Sequence, residues 1–311
     1  MFNTLFAQGG LTLDRLRTFC TVAEAAGVTK AAGKNPVRQS QFSRQIKELE
    51  TFFGTELMIR GKKGIALTPA GKRLAQISRG IFSSLGDFNS DCKAEPQRFA
   101  IGAGDSLLLW LLLPNVTILQ NALPNVALDV SNFRTLDIVE RVNDLRLDFG
   151  LIRRDAVSPL QNFKSLGFET YGLFVPVLLL AKQRVRDWKD VIARIPLTTI
   201  AGEGTFRAAL EKAAQKNGTT LTFCLSCSTF PQAASALRTG DYAAILPTIA
   251  TVELDRDKFT IISAPFIESQ AREVCLVWNP RTLELRPKAA EFKDRLVNLL
   301  KLPGKSTARQ A

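Results

Sequence analysis

The chain has 311 residues, 46% hydrophobic and 23% charged, a globular balance that excludes wholesale disorder and allows two or three domains. Its formal net charge of +12 points to an anionic partner, nucleic acid or a membrane surface. Histidine is absent altogether, which removes the commonest general base, Ser-His and Cys-His nucleophile pairs, and nearly all catalytic zinc sites.

The charge is uneven. Residues 1–90 hold 13 Lys and Arg against 6 Asp and Glu, a local excess of +7, so the basic character belongs mainly to the first third. Five scattered cysteines do not make a disulfide framework, and Cys224 and Cys227, three apart in a strand-like run, should point to opposite faces. No apolar run approaches the length of a membrane span, and MFNTLFAQGG lacks the basic start and apolar core of a secretory signal. A cytoplasmic protein without metal, cofactor or membrane partner is expected.

Taken in chain order, LTLDRLRTFCTVAEAAG puts Leu13, Leu16, Phe19, Val22 and Ala23 on one helical face, with Gly27 as its stop. Thr29 should cap a short second helix, TKAAGK, that Pro36 ends. In the third helix Phe42, Ile46, Leu49 and Phe53 form one apolar stripe. Ser40, Arg44 and Lys47 lie nearly opposite, flanked by Gln41 and Ser43, and Gly54 ends the helix.

TELMIR and GIALT then read as a hairpin around the basic turn of Arg60, Lys62 and Lys63. Three helices and a basic hairpin make a winged helix-turn-helix. Thr68 and Pro69 open a long helix whose Leu74, Ile77, Ile81 and Leu85 form a narrow seam suited to a partner helix.

From Gln97 onward strand and helix patterns alternate, which predicts parallel sheets with helices on both faces. The apolar run LLLWLLL falls inside a predicted long helix, SLLLWLLLPNVTILQNAL, and YGLFVPVLLLA continues the alternating pattern. The strand REVCLVW and the helix RPKAAEFKDRLVNLLKL close the fold, and PGKSTARQA reads as a frayed tail. The fold class is therefore an α+β multidomain chain. Its parts are a winged helix-turn-helix at 11–68, a linker and dimerisation helix at 69–92, and a two-lobed α/β domain at 95–302. The first lobe covers about 97–167 and 265–302, the second about 168–264.

A helix face of Arg, Ser, Gln and Lys suits a major groove. Arg can bind guanine through two bonds, Gln can do the same to adenine, and Ser and Lys suit phosphate oxygens. The bland alternative is a solvated polar face. The preceding turn, the local excess charge and the basic hairpin all favour DNA.

The run from Leu13 to Leu74 resembles the DNA-binding domain of LysR-type transcriptional regulators, most closely in TKAA, SRQIKELE, FFGTELMIR and LTPAG. The remainder, including SALRTGDYAAILP, is similar to the effector-binding domain of that family, a two-lobed fold like that of periplasmic solute-binding proteins. The resemblance covers residues 11–300 and implies DNA contacts at Thr29, Gln39, Ser40, Ser43 and Arg44. It also implies a dimer or tetramer, a small-molecule effector and contact with RNA polymerase. Two departures stand out: Arg38 occupies the place of the family's Ser cap on the recognition helix, and Asn35-Pro36 replaces an apolar end to the second helix. Arg38 is expected to add a phosphate contact.

Small ligands of open α/β sheets bind at the carboxyl ends of strands and at helix N-termini. That selects Asp105, Ser106, Ser228, Thr229 and Pro247, with Thr199, Ile200, Ala201 and Gly202 near an expected crossing between lobes. Residues of these types at such positions also serve as ordinary helix caps. The leading expectation is an effector-controlled, sequence-specific DNA-binding regulator. A ligand-independent DNA-binding protein, whose α/β part only assembles subunits, is the alternative. An enzyme using Lys or carboxylate chemistry would leave residues 11–70 unexplained.

Overall fold

A computed structural model describes residues 9–33, 35–61, 64–201 and 205–304. Lys62, Lys63, Gly202 and most of the expected C-terminal tail lie outside them, as does the side chain of Arg60. The described residues form two compact units. The first gathers residues up to Gln97 with 144–146 and 281–287; the second holds the rest.

In the first unit, helix Leu13–Glu24 starts at Thr12, whose hydroxyl accepts from the Arg15 amide at 3.2 Å. Its Leu16, Phe19 and Cys20 pack with Leu49, Leu57 and Ala75 into one core. A second cluster joins Val22 and Ala32 to Phe42 and Ile46, so the third helix is anchored along its apolar stripe. Phe53, expected in that stripe, is instead exposed, with its ring edge-on to Phe52 at 4.9 Å. It falls on the last turn, past the reach of the other two helices.

The second helix is shorter than the sequence suggests, Val28–Ala32, with Gly27 at its N-cap. Thr29 therefore sits within the helix rather than capping it. The third helix runs Pro36–Phe53 and begins earlier than expected. Asn35 is its cap: the side-chain oxygen accepts from the Arg38 amide at 3.1 Å. Pro36 takes the first helical position, where its missing N–H costs nothing. The Asn35-Pro36 departure is thus a helix start, and Arg38 lies inside the first turn, not at the cap.

Strands β1 (Met58–Gly61) and β2 (Gly64–Leu67) form the hairpin. Glu50 fixes its base by accepting from the Leu57 and Met58 amides at 2.9 and 3.2 Å. Thr68 caps the long helix Pro69–Cys92 through the Gly71 amide at 3.0 Å. Leu74 packs into the first-unit core, because its position on the helix faces the Leu13–Glu24 helix. It therefore leaves the expected seam, while Ile77, Ile81 and Leu85 remain exposed and Phe88 continues them. Along the same helix, Arg286 clamps the buried Asp87 through two bonds of 2.8 and 2.7 Å. This helix is therefore anchored to the core of its own unit, and its exposed large apolar residues fall on one stripe.

The second unit holds two five-stranded sheets. In the first lobe the order is β4-β3-β5-β12-β6, with β3 Gln97–Ala103, β4 Val126–Asn132, β5 Phe149–Arg153, β6 Asn162–Glu169 and β12 Arg272–Trp278. In the second it is β11-β7-β10-β8-β9, with β7 Tyr171–Pro176, β8 Leu197–Ile200, β9 Phe223–Cys227, β10 Ala243–Pro247 and β11 Phe259–Ile262. The sheets are mixed rather than wholly parallel. Strand β3 runs parallel to β5, and β8 to both β9 and β10, but β12 is antiparallel to β5 and β6, and β7 to β10 and β11. The chain crosses between sheets twice, at 170 and at 263–271, and the strand that follows each crossing, β7 and then β12, runs against both of its neighbours.

The predicted long helix after β3 is broken. Residues Leu108–Leu112 form a π-turn and Leu113–Asn115 a 3-10 turn before helix Val116–Ala122. Pro114 cannot donate to the turn before it, so a continuous α-helix is interrupted there. The run YGLFVPVLLLA divides at Pro176 into β7 and helix Val177–Gln183. As its strand register requires, Cys224 is exposed and Cys227 buried.

Candidate functional sites

The polar face of helix Pro36–Phe53 forms the first candidate site. Ser40, Gln41, Ser43, Arg44 and Lys47 are exposed and Gln39 is half-buried, while Phe42, Ile46 and Leu49 hold the opposite side inside the core. The face is thus presented by a rigid, internally anchored helix. Glu48 accepts from Arg44 at 3.1 Å and pairs with Arg15 at 2.5 Å, which orients Arg44 from its own helix and steadies it from the first. Arg38 is exposed, its guanidinium 5.2 Å above the Phe42 ring. Thr29 is also exposed. The sequence pattern missed Asn35 as the residue that organises the start of this helix, although an Asn-Pro pair before an amphipathic run is the usual signal.

The second candidate lies at the strand ends of the α/β unit. Asp105 and Ser106 follow β3 and are half-buried; Asp105 accepts from the Asn132 side chain at the end of β4. The turn they occupy packs against helix Phe230–Arg238 of the other lobe. That helix is capped by Thr229, which accepts from the Gln232 amide at 3.4 Å, and Ser228 is exposed beside it.

Other expected contacts do not form part of an open site. Thr199 is fully buried in β8, its hydroxyl donating to the Ile245 carbonyl at 3.0 Å. Pro247 is buried at the end of β10. Both side chains are buried, and the Thr199 hydroxyl is already engaged within the sheet. Ile200 is half-buried and Ala201 exposed, at the end of β8 and not at a crossing between lobes.

A further cleft of about 560 Å³ is lined by Arg153, Arg154 and Asp155 at the end of β5, Arg272 and Glu273 at the start of β12, and Ala209 of helix Thr205–Lys216. None of these was singled out by sequence, where an Arg-Arg pair after a strand reads as ordinary solvated charge. Beside it Tyr171 donates its hydroxyl to the buried Glu169 at 2.7 Å. Burial pushes the Glu169 carboxyl up, opposed first by that hydrogen bond and then by Arg272 and Arg153. Burial and the Glu169 charge push the Tyr171 hydroxyl well above its ordinary value. No group of three or more metal-ligating side chains occurs among the described residues, and none of their helices is long and apolar enough to cross a membrane.

Comparison with known proteins matches residues 13–72 to "Bacterial regulatory helix-turn-helix protein, lysR family" and residues 93–301 to "LysR substrate binding domain". The chain belongs to the LysR family. Among relatives, the Hca operon transcriptional activator HcaR of Escherichia coli K12 is 28% identical over 170 residues, 54% of this chain and 57% of the relative. The chain spans about half the length of the curated relatives it first matches. Two solved structures share the fold: ArgP from Mycobacterium tuberculosis, with a TM-score of 0.68 at 17% identity, covering 94% of this chain and 98% of that one; and full-length CbnR complexed with its target DNA, with 0.58 at 18%, covering 93% and 99%. A LysR-family chain of this fold carries a winged helix-turn-helix followed by a two-lobed α/β domain.

Proposed function

We propose that this protein is a sequence-specific, DNA-binding transcription regulator whose affinity or geometry on DNA responds to a small molecule held by the α/β lobes. The observation that carries the reading is the two-sided character of helix Pro36–Phe53, buried along Phe42, Ile46 and Leu49 and bare along Ser40, Gln41, Ser43, Arg44 and Lys47. In this reading Arg44 and Gln41 reach base edges, Ser40, Ser43, Lys47 and Arg38 hold phosphates, and the basic hairpin touches the flanking backbone. CbnR, which shares the fold, has been seen on its target DNA, which supports the same use of this chain.

The stripe of Ile77, Ile81, Leu85 and Phe88 is 37–67% exposed, and a second copy of the same helix is its natural cover. Two recognition helices would then read half-sites on one face of the duplex. Tetramer formation and contact with RNA polymerase belong to the same proposal. The test is a fluorescence-anisotropy titration of the purified chain with the DNA upstream of its own coding region, against random duplex at moderate salt. Preference for the upstream DNA, lost on Arg44→Ala with the fold intact, is expected; equal binding of both duplexes refutes the reading.

A further inference from the structure

One apolar side chain of helix Pro36–Phe53 points away from the core. Val37 is 78% exposed, the highest value for a large apolar side chain of the first unit among the described residues. It belongs to neither core cluster of that unit. At about 100° per residue, Gln41 and Arg44 lie within about 40° of it around the helix. Phe42, Ile46 and Leu49 lie about 120–180° away. Val37, Gln41 and Arg44 thus form one line at i, i+4 and i+7, on the face that the core leaves bare.

Folding does not account for a valine there. Its branched side chain makes it a poorer helix former than alanine, and it covers no part of the core. The groups around it are already directed. Arg38 turns back over the Phe42 ring at 5.2 Å. Glu48 holds Arg44 through Nε at 3.1 Å, which leaves the outer edge of that guanidinium, with its two terminal amino groups, for a base. Asn35 caps the helix and Pro36 fills its first position. Val37 therefore stands in the first turn, where residues of a helix-turn-helix recognition helix reach base edges.

A major groove offers an apolar side chain one specific counterpart. Thymine alone among the four bases presents a methyl group there, and the other distinguishing features of the base edges are donors and acceptors. Pressed against an edge without a methyl, Val37 would strip water from a polar group and return no hydrogen bond. Val37 and Arg44 are about 10 Å apart along the helix axis, a span of about three base pairs.

We infer that Val37 is a specificity-determining residue that selects a thymine by its methyl group, about three base pairs from the guanine bound by Arg44. The inference rests on the regulator reading and adds to it one residue and the base that residue recognises.

The test uses the full chain and lets it choose its DNA. Duplexes are enriched from a random-sequence library by the wild-type protein, and the preferred duplex is titrated by fluorescence anisotropy at fixed salt. Each thymine is then replaced in turn by deoxyuridine, which pairs identically and lacks only the methyl. One thymine per half-site should stand out, its replacement weakening binding about three- to fourfold, as expected for one buried methyl-sized group. Val37→Ala should weaken binding to the thymine duplex by a similar factor and show no further loss on the uracil duplex. Its melting temperature and its binding to random duplex should not fall. A wild type indifferent to every thymine methyl overturns the inference. So does a methyl effect that survives Val37→Ala, or a loss on random duplex as large as on the preferred one. An enriched motif without a methyl effect refutes the role of Val37 alone; a library from which nothing is enriched refutes the regulator reading itself.

Discussion

Trp110 donates its indole N–H to Glu253 at 2.6 Å, and its ring is buried among Phe174, Cys227, Ala234 and Leu246 of the second lobe. The tryptophan leaves β3 on the π-turn Leu108–Leu112, so a residue attached to one lobe plugs the core of the other. Arg238 holds the same carboxylate from the far side. Trp110→Phe keeps most of the packing and removes the donor. A loss of about 1–2 kcal/mol is expected in urea unfolding, since Glu253 is still partly wet. The pH dependence has a definite sign. The Trp110 hydrogen bond first, and Arg238 second, hold the Glu253 carboxyl below its ordinary value of 4.5. Its contribution is therefore complete above that value and is lost as pH falls through the folded-state value. The substituted protein should show a shallower acid-side fall in melting temperature, and an identical fall would remove Glu253 from the account.

Asp87 and Arg286 make a buried pair with two parallel hydrogen bonds, tying the long helix Pro69–Cys92 to the 281–287 segment of the same unit. Removing Asp87 strips two charge-assisted hydrogen bonds from a guanidinium that is 5% exposed. Asp87→Ala should cost about 3–5 kcal/mol, measured by chemical denaturation. The double change Asp87→Leu with Arg286→Met should recover much of that loss, because desolvation of the pair nearly offsets its attraction. A double variant as unstable as the single one would show that the pair gives geometry no hydrophobic contact can replace.

Asn35 and Arg38 should separate cleanly. Asn35→Ala removes the helix cap and should cost about 1 kcal/mol of stability, with Asn35→Asp restoring it. Arg38→Ala leaves the cap intact and should barely change melting. Its effect belongs to DNA: weaker binding to every duplex and a salt slope smaller by about one. The slope is read from anisotropy titrations at several salt concentrations. An unchanged slope means Arg38 serves only Phe42.

The first unit was nearly legible from its residues, because its helices are half-buried and the stripe of Phe42, Ile46 and Leu49 must repeat at helical spacing. The errors fell where a local contact outranked the pattern. Asn35 captured the cap from the position of Arg38, and Leu74 was drawn into a core built by Leu16, Phe19 and Leu57. The α/β unit was legible only in outline. Strands buried on both faces, such as Tyr171–Pro176, carry no alternation to distinguish them from the helix that follows. A threonine at a strand end, Thr199, looks the same in sequence whether it faces a ligand or a neighbouring carbonyl. Arg154 and Arg272 are 118 positions apart, and only the antiparallel pairing of β5 with β12 brings them to one cleft. Long-range pairing of that kind leaves no periodic mark on either segment.

Glu169 gives the opposite pH sign to Glu253. Burial raises its carboxyl above the ordinary value, more strongly than the Tyr171 hydrogen bond and the two arginines lower it. A carboxyl that holds its proton more tightly folded than unfolded stabilises the protein most at low pH. That contribution declines as pH rises through the unfolded value, and is gone once pH passes the folded one. Glu169→Gln keeps the shape, cannot titrate, and leaves an acceptor for Tyr171. The variant should be at least as stable as wild type at neutral pH, and its melting temperature should lack the decline that wild type shows above about pH 4. Parallel profiles for the two proteins would mean that the Glu169 carboxyl is ionised throughout, with Arg272 and Arg153 outweighing its burial.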